Sequence, residues 1–236
     1  MVARIAEAAC EKGEELVVEI GPGKGVLTRH LLARARRVVA IEIDAALASR
    51  MEPDSRLTVL HADVLNTDLA QWGPCVLAGN LPYYITSPIL DRIFRAAQTI
   101  RLATLMVQEE VAHRLTAGPG SRDYGYLTVR TLLHSEPRLL FSVPPAAFQP
   151  PPRVASAVVQ LRMKPPEAGS AAFLEFVSQC FRHKRKTLRN NLSSRYPKSL
   201  LDAQPEANLR AEQLPVDAFR ELYTRLVAAS DPILFS

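Results

Sequence analysis

The chain has 236 residues, enough for one α/β domain and a small appendage, and its formal net charge is +5. No apolar run approaches bilayer-spanning length, and the first residues read as an amphipathic helix rather than a secretory signal. Cys10, Cys75 and Cys180 are too scattered for a disulfide framework or a metal site, the pattern of reduced thiols in a cytoplasm.

In chain order, Leu16-Val17-Val18-Glu19-Ile20 is a short apolar strand, followed by the turn Gly21-Pro22-Gly23-Lys24-Gly25 and a helix pattern over Val26–Leu32. Glycines between strand and helix let the backbone approach a ligand closely. A second strand, Val38–Ile41, ends at Glu42, an acid placed to meet a ribose diol. Asp44 reads as the cap of the helix that follows. A third strand, Leu57–Leu60, leads to His61-Ala62-Asp63, where an acid can meet an adenine amino group, and a fourth, Cys75–Gly79, leads to Asn80-Leu81-Pro82-Tyr83. A fifth strand is expected over Arg101–Val107, with helices over Glu109–Leu115 and Gly125–His134. Glu109 and Glu110 sit where the helix dipole favours acids. Leu139–Val143 and Ala157–Leu161 read as a final strand pair, and Pro144-Pro145 and Pro150-Pro151-Pro152 exclude helix beside them. Alternating strands and helices imply a largely parallel sheet covered on both faces, with that pair as an antiparallel edge. Lys164–Ser170 is a linker, and helices are expected beyond it over Ala171–Phe181, Lys184–Leu192, Pro197–Leu201 and Val216–Ala229. The division is residues 1–164 as an α/β domain and 170–236 as a small all-helical domain.

The strand ends offer a glycine turn, a ribose acid and an adenine acid in succession, which suits an adenosine-containing cofactor at the sheet edge. A P-loop is excluded, since Gly-x-x-x-x-Gly-Lys-Ser/Thr is absent, and the dinucleotide fingerprint fails at Val26. S-adenosylmethionine needs no pyrophosphate cradle and fits this set better than a nicotinamide dinucleotide. At the fourth strand end, the side-chain oxygen of Asn80 and the carbonyl of Leu81 can each accept one hydrogen of an exocyclic NH2, while Tyr83 stacks on its ring and Pro82 stiffens the turn. Accepting both hydrogens draws the nitrogen lone pair out of conjugation, so a poor nucleophile becomes a usable one. Phe148, on the proline-rich loop, is either a second stacking aromatic or a core plug.

Between Phe176 and Leu201 there are seven basic residues and no acid. Arg182, Lys184, Arg185, Lys186 and Arg189 lead that run, read as a basic helix with Asn190 and Asn191 in reach of phosphate or sugar. The run suits a polyanionic partner, and phosphate contacts supply affinity and positioning rather than sequence choice.

The runs Val18-Glu19-Ile20-Gly21-Pro22-Gly23-Lys24-Gly25, Ala40-Ile41-Glu42-Ile43-Asp44, His61-Ala62-Asp63-Val64-Leu65 and Gly79–Pro88 resemble the ribosomal RNA adenine N6-dimethyltransferase family, of the bacterial small-subunit (kasugamycin-resistance) type. Met106–Leu115, Phe148–Val159 and Phe181–Leu188 extend the resemblance over nearly the whole chain. It implies a Rossmann-like class I methyltransferase sheet with a helical C-terminal domain. It also implies S-adenosylmethionine-dependent dimethylation of N6 on two adjacent adenosines in the 3′-terminal hairpin loop of 16S rRNA, within the 30S subunit or its precursor, by a cytoplasmic monomer that touches no membrane. Gly21, Gly23, Glu42, Ile43, Asp63, Val64 and Asn80 are then the cofactor residues, with Ile43 against the adenine and the Val64 amide on that ring. Family members usually begin with a Leu-Gly-Gln-Asn/His-Phe-Leu segment over the methionine end of the cofactor. Here Met1–Ala6 corresponds to the helix after it, so those contacts are not carried over. Rival readings are a ribosome-assembly factor with little catalysis, a DNA adenine methylase, and a 23S rRNA methyltransferase of the erythromycin-resistance type. Against the last stand Asn-Leu rather than Asn-Ile before Pro-Tyr and the Phe148–Val159 run.

Overall fold

The computed structural model describes residues 1–11 and 13–230; residues 231–236 of the second expected domain lie outside that range. Helix α1 (Val2–Ala9) buries Ile5, Ala6 and Ala9, one stripe at helical spacing. Strand β1 (Glu14–Ile20) and helix α2 (Val26–Leu32) flank the glycine turn, and β2 (Ala35–Glu42) is buried over its second half. A single turn, α3 (Ala45–Ala48), starts at Asp44, whose carboxylate accepts from the amides of Ala46 and Leu47, the expected cap. Strands β3 (Leu57–His61) and β4 (Cys75–Asn80) follow, then a 3-10 turn at Tyr83–Ile85 and α4 (Thr86–Arg95). Next come β5 (Ile100–Gln108), α5 (Glu109–Thr116), α6 (Tyr126–His134), β6 (Ser135–Val143) and β7 (Ser156–Met163). The remaining helices are α7 (Ser170–Cys180), α8 (Leu188–Leu192), α9 (Lys198–Asp202) and α10 (Val216–Ser230).

The seven strands form one sheet in the order β3-β2-β1-β4-β5-β7-β6. The first five run parallel, and β7 pairs antiparallel with both β5 and β6. Successive strands step outward from β1 to β3 on one side, and β4 then starts on the other side of β1. That reversal opens a crevice at the carboxyl ends of β1 and β4, where such sheets bind ligands. This is the Rossmann-like class I methyltransferase sheet with helices C-terminal to it. One core joins α1 and α2 to a sheet face through Ile5, Ala9, Leu27, Leu31, Val17 and Val76.

The chain divides into two compact units: Met1–His113 with His134–Pro166, and Arg114–Leu133 with the chain from Glu167 onward. The sequence division at residues 1–164 is corrected here, because Arg114–Leu133 belongs with the helical unit. Tyr124, Val129 and Leu133 supply apolar side chains to the same core as Phe173, Phe176 and Phe219. A second correction concerns the helix expected over Lys184–Leu192. It starts at Leu188, because Thr187 is extended, accepts from the Asn190 amide and bridges to Arg210. All three cysteines are free and buried. Among the described residues no helix is long and apolar enough to cross a membrane.

Candidate active site

Four strand ends meet at the crevice. Gly21 and Gly23 adopt positive φ, 68° and 57°, which L-residues with a Cβ rarely take. The Gly21 amide donates to the Ile41 carbonyl (3.0 Å) and a Cβ there would lie 3.8 Å from the Asn80 carbonyl oxygen, so the turn runs beside β4. Glu42 is 6 % exposed and ties two loops together. Its Oε2 accepts from the Gly23 amide and its Oε1 from the Asp44 amide, each at 3.0 Å. Ile43 is exposed beside it, its carbonyl 3.2 Å from His61 Nε2. Asp63 Oδ1 accepts from the Leu65 amide (2.8 Å) and Oδ2 from the Asn66 side chain (3.1 Å). Asp63 therefore shapes its own turn, a role beyond the one its position suggested. The Val64 side chain is buried behind that turn.

Glu19, an acid within an apolar strand, was given no role by sequence reasoning, although a charge at that place is itself a signal. Its β1 position pairs with Ala40 and Ala78, small neighbours that leave room for a carboxyl on the α2 face. It is 1 % exposed, and the Thr28 hydroxyl donates to its Oε2 at 2.6 Å. Burial pushes its pKa up from 4.5 to about 7; the Thr28 bond opposes that rise and the Glu42 charge adds to it. The unfolded chain releases this proton near pH 4.5 and the folded chain near 7, so stability falls as pH rises through that window and levels off above it. Glu19→Gln should remove this loss. Its unfolding free energy relative to the parent, from denaturant titrations, should grow by about 2–3 kcal/mol between pH 5 and pH 8. A constant difference across that range would exclude a carboxyl held neutral by burial.

At the end of β4 the backbone leaves no room for side chains: a Cβ on Gly79 would lie 2.8 Å from the Ile20 carbonyl oxygen. The Leu81 amide donates to the Met106 carbonyl (3.0 Å) and its side chain is buried, which pins the turn to β5. Pro82 has φ −59°, and its carbonyl accepts from the Ile85 amide (3.2 Å) and the Thr86 hydroxyl (3.1 Å). The Asn80 side chain and the Leu81 carbonyl make no hydrogen bond among the described residues. The turn thus presents two acceptors one residue apart. Tyr83 is half-buried, its hydroxyl 2.7 Å from Ser156 Oγ, and Tyr84 beside it is 85 % exposed. Phe148 is half-buried and packs against the apolar core that contains Ile5, Val143 and Val158, the placement of a core plug.

In the helical unit the basic run is not a helix face. Arg182, Lys184, Arg185 and Lys186 lie exposed on an irregular turn between α7 and α8. Asn191 is the internal brace of that turn rather than a contact for phosphate or sugar. It is 4 % exposed; its Nδ2 donates to the carbonyls of Cys180 (2.8 Å), His183 (3.2 Å) and Lys186 (3.5 Å), and its Oδ1 accepts from the His183 amide (3.1 Å). The run is acid-free only along the chain: Arg189 pairs with Asp202 at 3.2 Å and Arg195 with Glu175 at 3.0 Å. Lys184 donates to the Arg122 carbonyl. Gly120, Arg122, Lys184, Arg185, Arg210 and Glu212 line a hollow of about 500 Å³ on this unit. Sequence reasoning missed Arg122 and Arg210, which lie far along the chain from the run they join.

The family profile "Ribosomal RNA adenine dimethylase" matches residues 1–227. The chain is 42 % identical over 248 residues to the ribosomal RNA small subunit methyltransferase A of Acidobacterium capsulatum, covering 94 % of this chain and 88 % of that relative. Its structure is similar to that of a dimethyladenosine transferase from Plasmodium falciparum, with TM-score 0.81 and 25 % identity over 95 % of this chain and 96 % of the other. It is also similar to the 23S rRNA methyltransferase ErmE, with TM-score 0.72 and 31 % identity over 96 % of each chain. A profile match over residues 1–227 and 42 % identity along nearly the full length of a named relative place the chain in the ribosomal RNA adenine dimethylase family.

Proposed function

We propose that the chain is a 16S rRNA adenine-N6,N6-dimethyltransferase that uses S-adenosylmethionine and acts on two adjacent adenosines of the 3′-terminal hairpin loop, in the small subunit or its precursor. The observation that carries this reading is the pair of free acceptors, the Asn80 side-chain oxygen and the Leu81 carbonyl, held at the crevice next to the Gly21–Gly25 turn.

The chain's residues fit the cofactor. The positive-φ glycines bring backbone close to the crevice, and the Glu42 carboxylate is already oriented by two amides, with lone pairs left for a ribose diol. Asp63 and the Val64 amide stand at the next strand end for the adenine, with Ile43 exposed to cover it. When bound, S-adenosylmethionine supplies the electrophilic methyl group.

The target adenosine leaves its stack at a cost of a few kcal/mol, less from a loop. Tyr83 offers it an aromatic face, a contact worth about 1–3 kcal/mol per base, so stacking can offset the extrusion. Phe148 packs against the core, so this reading gives the stacking role to Tyr83 alone. Asn80 and Leu81 each accept one N6 hydrogen and point the nitrogen lone pair along the transfer line. No strong base is required, because the nitrogen becomes acidic as it is methylated and its proton can leave to water. The residues contribute orientation and exclusion of water.

Affinity for rRNA is assigned to the exposed turn carrying Arg182, Lys184, Arg185 and Lys186, with Arg189 following it in the chain and Arg122 and Arg210 completing the hollow. Changing Arg185 and Lys186 together to alanine should weaken binding to small subunits by about tenfold or more near physiological salt. It should also lower the slope of log affinity against log salt by about 1–2. An unchanged slope in filter binding would remove this turn from the interface.

The likeness to ErmE favours one second reading, methylation of 23S rRNA. Labelled S-adenosylmethionine incubated with unmodified small and large ribosomal particles separates the two. Label on paired adenosines of the 16S 3′ hairpin supports the proposal, label on 23S rRNA the second reading. Binding to small subunits without transfer would leave an assembly factor.

A further inference from the structure

The Tyr83 hydroxyl lies 2.7 Å from Ser156 Oγ, a bond across 73 residues of chain, and Ser156 is fully buried. We infer that Ser156 is a positioning residue for methyl transfer: it anchors the far end of the Tyr83 ring so that the ring is in place before the adenosine arrives. The inference rests on the proposed function and assigns a part in it to a residue outside the crevice.

The near end of Tyr83 is already constrained. Pro82 fixes the entry to the 3-10 turn, its carbonyl is held by Ile85 and Thr86, and the Leu81 amide is bonded to β5. That leaves the two side-chain torsions, which a ring on a turn would otherwise sample freely. A bond at the para position holds the first torsion, because a swing of the ring carries the oxygen away from Ser156; rotation about the ring axis leaves the oxygen in place and is restrained by the surroundings of the half-buried ring. The anchor is rigid in turn. Ser156 is the first residue of β7, in register with Gln108 of β5 and Val143 of β6, and the preceding Ala155 carbonyl accepts from the Glu109 amide. Ser156 also ends the Phe148–Ala155 loop, so the tether links the acceptor turn to that loop through one hydroxyl pair. An orienting contact made before the substrate binds acts on the transfer step, since a ring misplaced by about 1 Å misdirects the base it carries.

A buried serine hydroxyl needs a partner in any protein, so the test must separate positioning from simple satisfaction. The variants are Ser156→Ala, Tyr83→Phe and the double variant, assayed with unmethylated small ribosomal subunits and S-adenosylmethionine. Each single change is expected to lower kcat about three- to tenfold, with KM for S-adenosylmethionine unchanged. The double variant should be no slower than the slower single one, because both remove the same bond. Multiplying effects, or a parental kcat in either single variant, would overturn the inference. Should Ser156→Ala not fold, Tyr83→Phe decides it alone, since it removes the same bond from a half-buried ring. Asn80→Ala in the same assay keeps the two claims apart. If Asn80→Ala is inactive while Ser156→Ala and Tyr83→Phe match the parent, only the tether falls; if the parent itself transfers nothing to rRNA, the proposed function falls.

Discussion

Asn80→Ala is expected to slow methyl transfer by about a hundred- to a thousandfold, the loss seen when one pre-positioned polar group is removed from a reacting centre. Binding to the small subunit should stay within about twofold, because the cationic turn is in the helical unit and Asn80 is in the other. The expectation rests on the freedom of this side chain. Pro82 and Leu81 spend their carbonyl and amide respectively on the fold, whereas the Asn80 amide is bonded to nothing among the described residues. A side chain with no structural bond to lose gives alanine little reason to unfold the turn, so the melting temperature should hardly move. Single-turnover transfer of labelled methyl, beside filter binding of the same variant, makes the measurement. More than a tenth of the parental rate would remove Asn80 from the chemistry.

Asn191→Ala should act on stability. It strips four hydrogen bonds at a site 4 % exposed and leaves the carbonyls of Cys180, His183 and Lys186 without the donor they share. Buried groups left unpaired cost about 1–3 kcal/mol each when water cannot reach them. Some of these will find water on an exposed turn, so a net loss of about 3 kcal/mol is expected in denaturant unfolding. The same change should weaken rRNA binding, since Arg182 through Lys186 are displayed on the loop that this amide holds. Asn191→Asp makes the sharper comparison. It keeps the shape but replaces the donor by an acceptor facing three carbonyl oxygens, so it should be at least as damaging as alanine. An aspartate variant of parental stability would refute the bracing role.

The sheet was legible because its signals are local. Glycines and prolines bracket short apolar runs, and the helix expected over Val26–Leu32 forms over those residues, since Gly25 ends the turn that precedes it. The late antiparallel pair was legible for the same reason. What was not legible depends on contacts between distant segments. Nothing near Asn191 in sequence says that its amide will gather carbonyls from the preceding turn, so the run read as a basic helix. Arg122 and Arg210 join that turn only through folding. Arg114–Leu133 carries an ordinary helical pattern, and only its packing against α7 and α10 side chains assigns it to the second unit. In the candidate site, each strand-end residue was readable from its place after a strand, but the bonds that prepare it were not. Glu42 already clamps two amides, Asp63 braces its own turn, and the hydroxyl of Tyr83 is caught by Ser156.

The burial of the cysteines has a practical consequence. Loss of hydration pushes the thiols of Cys10 and Cys75 up to about 11 and that of Cys180 higher still, so little thiolate exists near neutrality and alkylating reagents reach sulfur only when the surrounding segment opens. Cys75 begins the strand that ends at Asn80, and Cys180 ends the helix that precedes the cationic turn. Each sulfur is therefore a built-in clock for its own unit, and the rate of its labelling in the native state reads out how often the element bearing one half of the proposed function comes apart.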